Sequence, residues 1–237
     1  MFDPGAGLDG GGAVDLSSGG YVDMGNNYAF SGTQSFTVQE WVETTDAGGI
    51  LASRTYSENQ DGYFIGMGDI DRECMNSTYD NAASAGVGNG NVGCTLFTPP
   101  SSGVVNDGQW HQIVETVGGG TVSLYVDGAL QGSATGVNIQ SCPTVDFLVG
   151  GIDLGVSGPG GSSVCGVGSP LGVFSGLVTD VAVWNNTLNA SQVALLNQNP
   201  NNASVAESPE PAAFWLLLAG FGGLFVLRRA FTDQTSK

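Results

Sequence analysis

Two glutamates bring this chain nearest to catalytic chemistry. Glu40 lies in the alternating run Phe36 to Thr44, and Glu115 in the run Trp110 to Val117. Strand side chains alternate between faces, so Glu40 shares a face with Phe36 and Val38, and Glu115 with Ile113 and Val117. If the two strands are neighbours, the carboxyls face each other, and a pair about 5–9 Å apart is the geometry of glycoside hydrolysis. The favoured expectation is different: both point from an open concave sheet into solvent. Glu43 cannot pair with Glu40, because an odd spacing sets them on opposite faces. His111 is the only histidine, so a Ser-His-Asp or Cys-His arrangement has no alternative base to draw on.

Other groups suit binding better than catalysis. Asp61, Asp69, Asp71 and Asp80 form an acidic cluster without EF-hand spacing, which reads as a solvated loop. Tyr56, Tyr63 and Tyr79 are aromatic candidates for a sugar site, though each also fits ordinary packing. The four cysteines fall as two local pairs, Cys74 with Cys94 and Cys142 with Cys165. Four cysteines allow three connectivities. Each proposed bridge would staple a Gly/Ser/Asn-rich loop in an oxidising compartment, the alternative being four reduced, buried thiols. No Cys-x-x-Cys metal spacing occurs.

The elements that must position these groups are short β-runs separated by Gly, Asn, Asp and Pro, the pattern of an all-β sandwich. The runs are Ala13 to Leu16, Tyr21 to Met24, Phe36 to Thr44, Gly49 to Arg54, Gly62 to Met67, Val92 to Phe97, Trp110 to Val117, Thr121 to Val126, Asp146 to Gly150 and Gly176 to Trp184. Between them, Gly68 to Asn91 reads as a polar loop excursion, and Gly155 to Ser169 as a Gly/Ser-rich loop. Asp127-Gly128 predicts a type I′ hairpin leading into Ala129 to Gln131. Asn189 predicts the N-cap of a short helix ending before Pro200. Up to Leu227 the chain carries two arginines against 21 carboxylates. A body of that charge repels nucleic acid and suits divalent cations.

The segments GGYVDMGN, FTVQEWV, NDGQWHQIVETVGGGTVSLYVDGALQGS and FSGLVTDVAVWNNTLNASQVALL resemble, in order and spacing, a laminin-G-like domain of the concanavalin A-like lectin/glucanase superfamily. The resemblance implies a jelly-roll of two antiparallel sheets over residues 12–197. It implies a binding or structural module more often than an enzyme. It makes the Glu40 and Glu115 strands neighbours, and both glutamates stand where the family commonly has apolar residues. Related glucanases carry their acids as Glu-x-Asp-x-Glu on one strand, a motif absent here. Trp110-His111 matches a structural Trp-His of the family. Relatives often hold a structural Ca²⁺ near the ends of the first and last strands; the matching acid here is Asp180, with Asp15 and Asp23 as weaker neighbours.

The C-terminal region reads separately. Residues 198–208 look like a polar linker, followed by Pro209-Glu210-Pro211, an uninterrupted apolar run over 212–227, and Arg228-Arg229. As a helix the run spans about 24 Å, a little short of the roughly 30 Å hydrocarbon core, with the arginines able to snorkel. This order resembles the PEP-CTERM sorting signal of exported bacterial proteins. It implies a transmembrane helix over 212–227, a cytoplasmic tail over 230–237, and cleavage near the tripeptide by an exosortase-type protease. The arginines place the C-terminus in the cytoplasm and the sandwich outside. Residues 1–11 lack the basic and apolar regions of a signal peptide, so the true start is expected upstream. The reading is therefore an exported, non-enzymatic module binding polysaccharide or another surface polymer. The alternatives are a purely structural matrix protein and, third, a glycoside hydrolase.

Overall fold

The structure is a computed structural model and describes residues 1–55, 61–68, 81–88, 96–153, 156–157, 163–164, 168, 170–200 and 202–207. In chain order its strands are β1 (Phe2–Asp3), β2 (Ala13–Asp15), β3 (Val22–Asp23), β4 (Phe36–Glu43), β5 (Gly49–Thr55), β6 (Gly62–Met67), β7 (Ala83–Gly88) and β8 (Leu96–Phe97). They continue as β9 (Trp110–Gly118), β10 (Thr121–Val126), β11 (Ala129–Thr135), β12 (Leu148–Val149), β13 (Gly151–Asp153), β14 (Val156–Ser157), β15 (Ser163–Val164), β16 (Pro170–Gly172) and β17 (Leu177–Trp184). Seven form one sheet in the order β1-β2-β17-β4-β9-β10-β11, and six form the other as β3-β12-β5-β6-β7-β8. Every pairing is antiparallel, including the small pairs β13 with β16 and β14 with β15. The fold is all-β, two antiparallel sheets, consistent with a jelly roll.

Alternation decides which side chains fill the space between the sheets. Phe36, Val38 and Val42 of β4, with Ile113 and Val117 of β9, meet Tyr63, Ile65 and Met67 of β6 and Ala83, Ala85 and Val87 of β7. Phe30 stacks on Phe36 with ring centroids 4.4 Å apart, and Tyr63 tilts against Phe36 at 4.6 Å. Strand β7 lies inside the stretch expected to be loop. Its sequence, ASAGVG, has almost no residue of high β-propensity. It is a strand because its small side chains fit a fully buried position between β6 and β8.

The Asp127-Gly128 hairpin forms as expected, with both residues at positive φ (50° and 76°) and Val126 opposite Ala129. Helix α1 (Ala190–Gln198) starts at Asn189, whose side chain accepts from the Gln192 amide while the Gln192 side chain accepts from the Asn189 amide. Val193 and Leu196 of α1, with Leu188 and Ala206, cover Val114, Tyr125 and Trp184 on the outer face of the seven-stranded sheet. The stretch read as a linker therefore does more than connect: Ala203–Glu207 is a 3₁₀ helix and Ala206 is buried. The chain divides into two units after Ala206, and the fold above belongs to the first.

Among the described residues, Arg54 is the buried basic side chain. It is 1% exposed. Its guanidinium donates to the Asn27 carbonyl, Ser141 Oγ, the Cys142 carbonyl and Asn26 Oδ1 at 2.7–3.1 Å. Burial lowers its pKa against the opposing effects of Tyr63 and Asp146, and four neutral acceptors replace the water it has lost.

Candidate functional site

Glu40 and Glu115 come together, but not where a substrate could meet them. Strands β4 and β9 are neighbours, with Glu40 opposite Ile113 and Val38 opposite Glu115. The two glutamates are thus diagonal neighbours on one face of the sheet. That face is the interior one, shared with Phe36, Val38, Val42, Ile113 and Val117. Both are fully buried, and none of their four carboxyl oxygens has a hydrogen-bond partner. The expectation of an open, solvated face is corrected: the alternation that set them with Phe36 and Ile113 set them in the core. Burial pushes Glu40 up to about 8 and Glu115 well above the usual carboxylate range. The Tyr63 hydroxyl, which donates to the Tyr28 carbonyl at 2.9 Å, is raised by burial first and then by Glu115. Tyr63 itself is a packing residue, 1% exposed, while Tyr56 and Tyr79 lie outside the described residues.

His111 joins two turns. Its Nδ1 lies 2.8 Å from Asp127 Oδ2 in the hairpin, and its Nε2 lies 3.2 Å from Asp107 Oδ1. Asp127 Oδ1 also accepts from the Gln112 amide. The Asp127 hydrogen bond, against the opposing effect of burial, raises the imidazole pKa. Asp107 is lowered by its backbone bond from Gln109 and then by His111. These contacts make His111 a clamp between the ends of β9 and β10.

The three acids considered for Ca²⁺ stand on different strands. Asp180 lies in β17 at the irregularity between Thr179 and Ala182, with φ of 51°. Its Oδ2 accepts from Thr179 Oγ1, and burial raises its pKa. Asp15, at the end of β2 opposite Leu177, binds the Ser17 amide, and Asp23, in the other sheet, binds the Gly25 amide. Among the described residues, no group of three or more His, Cys, Asp or Glu is placed to hold a metal ion. Cys142 is buried, with its Sγ 3.4 Å from Thr144 Oγ1. Cys74, Cys94, Cys165, the acidic residues Asp69, Asp71 and Asp80, and the whole tail from Pro209, including Glu210, Pro211, Arg228 and Arg229, lie outside the described residues. Among the described residues no helix is long and apolar enough to cross a membrane.

The site that sequence reading missed is an open cleft of about 390 Å³ at one rim of the sandwich, lined by Ser17, Glu43, Thr44, Thr45, Asp46 and Ser175, with Gly108, Gly176 and Leu177. Its frame is a small hydrogen-bond knot. Thr44 Oγ1 donates to the Ser175 carbonyl at 2.6 Å and accepts from the Asp46 amide at 2.9 Å, while Gly108 N–H donates to the Thr44 carbonyl. Gly176 lets the 175–177 chain pass against the end of β4; a Cβ there would lie 2.5 Å from the Glu43 carbonyl oxygen. Only the run Thr44-Thr45-Asp46 after a strand hints at this site in sequence, because the other walls are remote in the chain. An apolar groove of about 230 Å³ runs along the edge by Phe2, Met24 and Val178, with Asp180 in its lining. Neither glutamate of the core lines the rim cleft or the groove.

Comparison with known proteins agrees with this architecture. A family profile, Laminin_G_3, described as the concanavalin A-like lectin/glucanases superfamily, matches residues 16–194. A search of curated proteins finds no match. Among solved structures, the CBM40 of the Ruminococcus gnavus IT-sialidase, bound to α2,3-sialyllactose, superposes with TM-score 0.52 at 14% identity, over 78% of this chain and 96% of that one. The binding domain of Paraclostridial Mosquitocidal Protein 1 gives TM-score 0.52 at 14% identity, over 83% and 45% of the two chains. Domains LG4-5 of the mouse laminin α1 chain give TM-score 0.50 at 14% identity, over 81% and 44%. Identities this low speak for the fold alone, whereas the profile covers more than half the sequence: the chain belongs to the concanavalin A-like lectin/glucanases superfamily.

Proposed function

We propose that the sandwich is a surface-binding module for polysaccharide or another surface polymer, and that it binds rather than catalyses. The observation that carries this reading is the open rim cleft, whose polar walls present hydroxyls and carboxylates on a rigid frame. The two acids considered for hydrolysis, Glu40 and Glu115, are sealed between the sheets instead. Fold relatives named as a sialyllactose-bound carbohydrate module and a toxin binding domain support it. A glycan array, read with and without a chelator, is the test. Binding to a defined polymer is expected, and no binding under either condition would sink the proposal. A loss on chelation alone would favour Ca²⁺ at Asp180, with Asp15 or Asp23 assisting.

Export and sorting belong to the same proposal. The Pro209-Glu210-Pro211 tripeptide, the apolar run over 212–227 and the Arg228-Arg229 pair fit a transmembrane segment handled by an exosortase-type protease, leaving the module at the cell surface or in the matrix. A disulfide between Cys142 and Cys165 suits that location. Its support is that Cys142 is engaged in a disulfide. In a host with an exosortase, wild type should appear shortened by about 25 residues (as a cut near the tripeptide requires) and Glu210→Ala should stay full length. Equal migration would leave only an anchor.

A further inference from the structure

We infer that the rim cleft takes a cationic glycan, one whose amino sugars carry free ammonium groups, in preference to a neutral or anionic polymer. This rests on the binding reading above and narrows its ligand class. Two observations carry it.

The first is the chemistry of the cleft. Its lining residues include the acids Glu43 and Asp46 with the hydroxyl-bearing Ser17, Thr45 and Ser175, and no basic residue. Asp46 is exposed and Glu43 half-buried. The Thr44 hydroxyl is already used inside the frame, and Asp46 Oδ1 accepts from the Ala47 amide at 2.8 Å, which holds the carboxylate in place at the rim. An ammonium group entering here meets charge-assisted acceptors, the stronger kind of hydrogen bond.

The second observation concerns the rest of the body. Each basic side chain among the described residues is engaged elsewhere. The Arg54 guanidinium is buried on four neutral acceptors. His111 sits between Asp107 and Asp127. With two arginines against 21 acidic residues before Arg228, of which Glu40 and Glu115 lose their charge through burial, the net charge is strongly negative, and a uronate or sulfated chain would meet repulsion.

Titration of the full chain with three oligosaccharides of equal length decides the matter: chitin fragments, the same fragments fully deacetylated, and an oligouronate. The deacetylated chain should bind at least about tenfold tighter than the acetylated one, and the uronate should not bind. General attraction of an acidic body for a polycation is separated by two variants of equal charge loss. Glu43→Gln/Asp46→Asn should weaken binding about tenfold or more, and Asp3→Asn/Asp146→Asn, outside the cleft, by less than about twofold. Equal losses in the two variants overturn the site. Preference for the acetylated or uronate chain overturns the charge class while leaving polymer binding standing, and silence from all three overturns both. Should the cleft variant fail to fold, the three-ligand series on wild type still decides the charge class.

Discussion

Replacing the two core glutamates should make the protein more stable at neutral pH, and the gain should grow as pH rises. The perturbation is Glu40→Leu with Glu115→Val, which puts apolar side chains where both neighbouring strands supply them. Above pH 4.5 the unfolded chain has lost the Glu40 proton, while the folded chain keeps it until about pH 8. Folding therefore takes up a proton in this window, and stability falls with rising pH. At roughly 1.4 kcal/mol per pH unit, Glu40 alone removes about 5 kcal/mol between pH 4.5 and 8, and Glu115 adds to the same slope. That is comparable with the whole stability of a typical domain, about 5–15 kcal/mol. Urea denaturation at pH 5, 6, 7 and 8 reads it directly: wild type should lose stability at about 1.4 kcal/mol per unit or more, and the double variant should be much flatter. Parallel profiles would refute the reasoning, because they would mean the two carboxyls find water or partners that keep them ionised in the folded state. Other raised groups, His111, Asp146 and Asp180, act in the same direction in both proteins and cancel from the comparison.

Three further outcomes are expected. The His111 clamp strengthens the fold fully below about pH 6.5 and is lost as pH rises through the raised folded value. His111→Gln should therefore cost about 1 kcal/mol at pH 5.5 and little at pH 9 in urea midpoints, a small figure because both aspartates are nearly half exposed. Arg54→Met leaves the Asn27 and Cys142 carbonyls without their donor; a loss of about 3 kcal/mol or more is expected in thermal or urea unfolding. Gly176→Ala drives a methyl against the Glu43 carbonyl and should cost about 1–3 kcal/mol while weakening glycan binding, read by calorimetry on the same preparation.

What could be read from the sequence was whatever depended on neighbours in the chain. The Asp127-Gly128 turn, the Asn189 cap and the alternation in β4 and β9 are local, and each appears as expected. The same alternation already placed Glu40 and Glu115 with Phe36 and Ile113. Their burial runs against expectation, because a carboxyl in an apolar core is costly and composition offers no reason to accept it. Strand β7 escaped notice since alanine and glycine signal loop until a partner on each side fills the space they leave. The rim cleft escaped for another reason. Its walls come from residues 17, 43–46, 108 and 175–177, brought together only by the sheet order.

The side chain of Gln192 closes the helix cap at Asn189 and, through its amide nitrogen, donates to the Ala206 carbonyl. Mechanically, one residue thus fastens the last buried point of the body to the first turn of α1. A pull exerted from beyond Ala206 meets this fastening and the nine-residue helix before it reaches β17. The expected order of yielding is α1 before β17, which is hydrogen-bonded between β2 and β4 within the sheet.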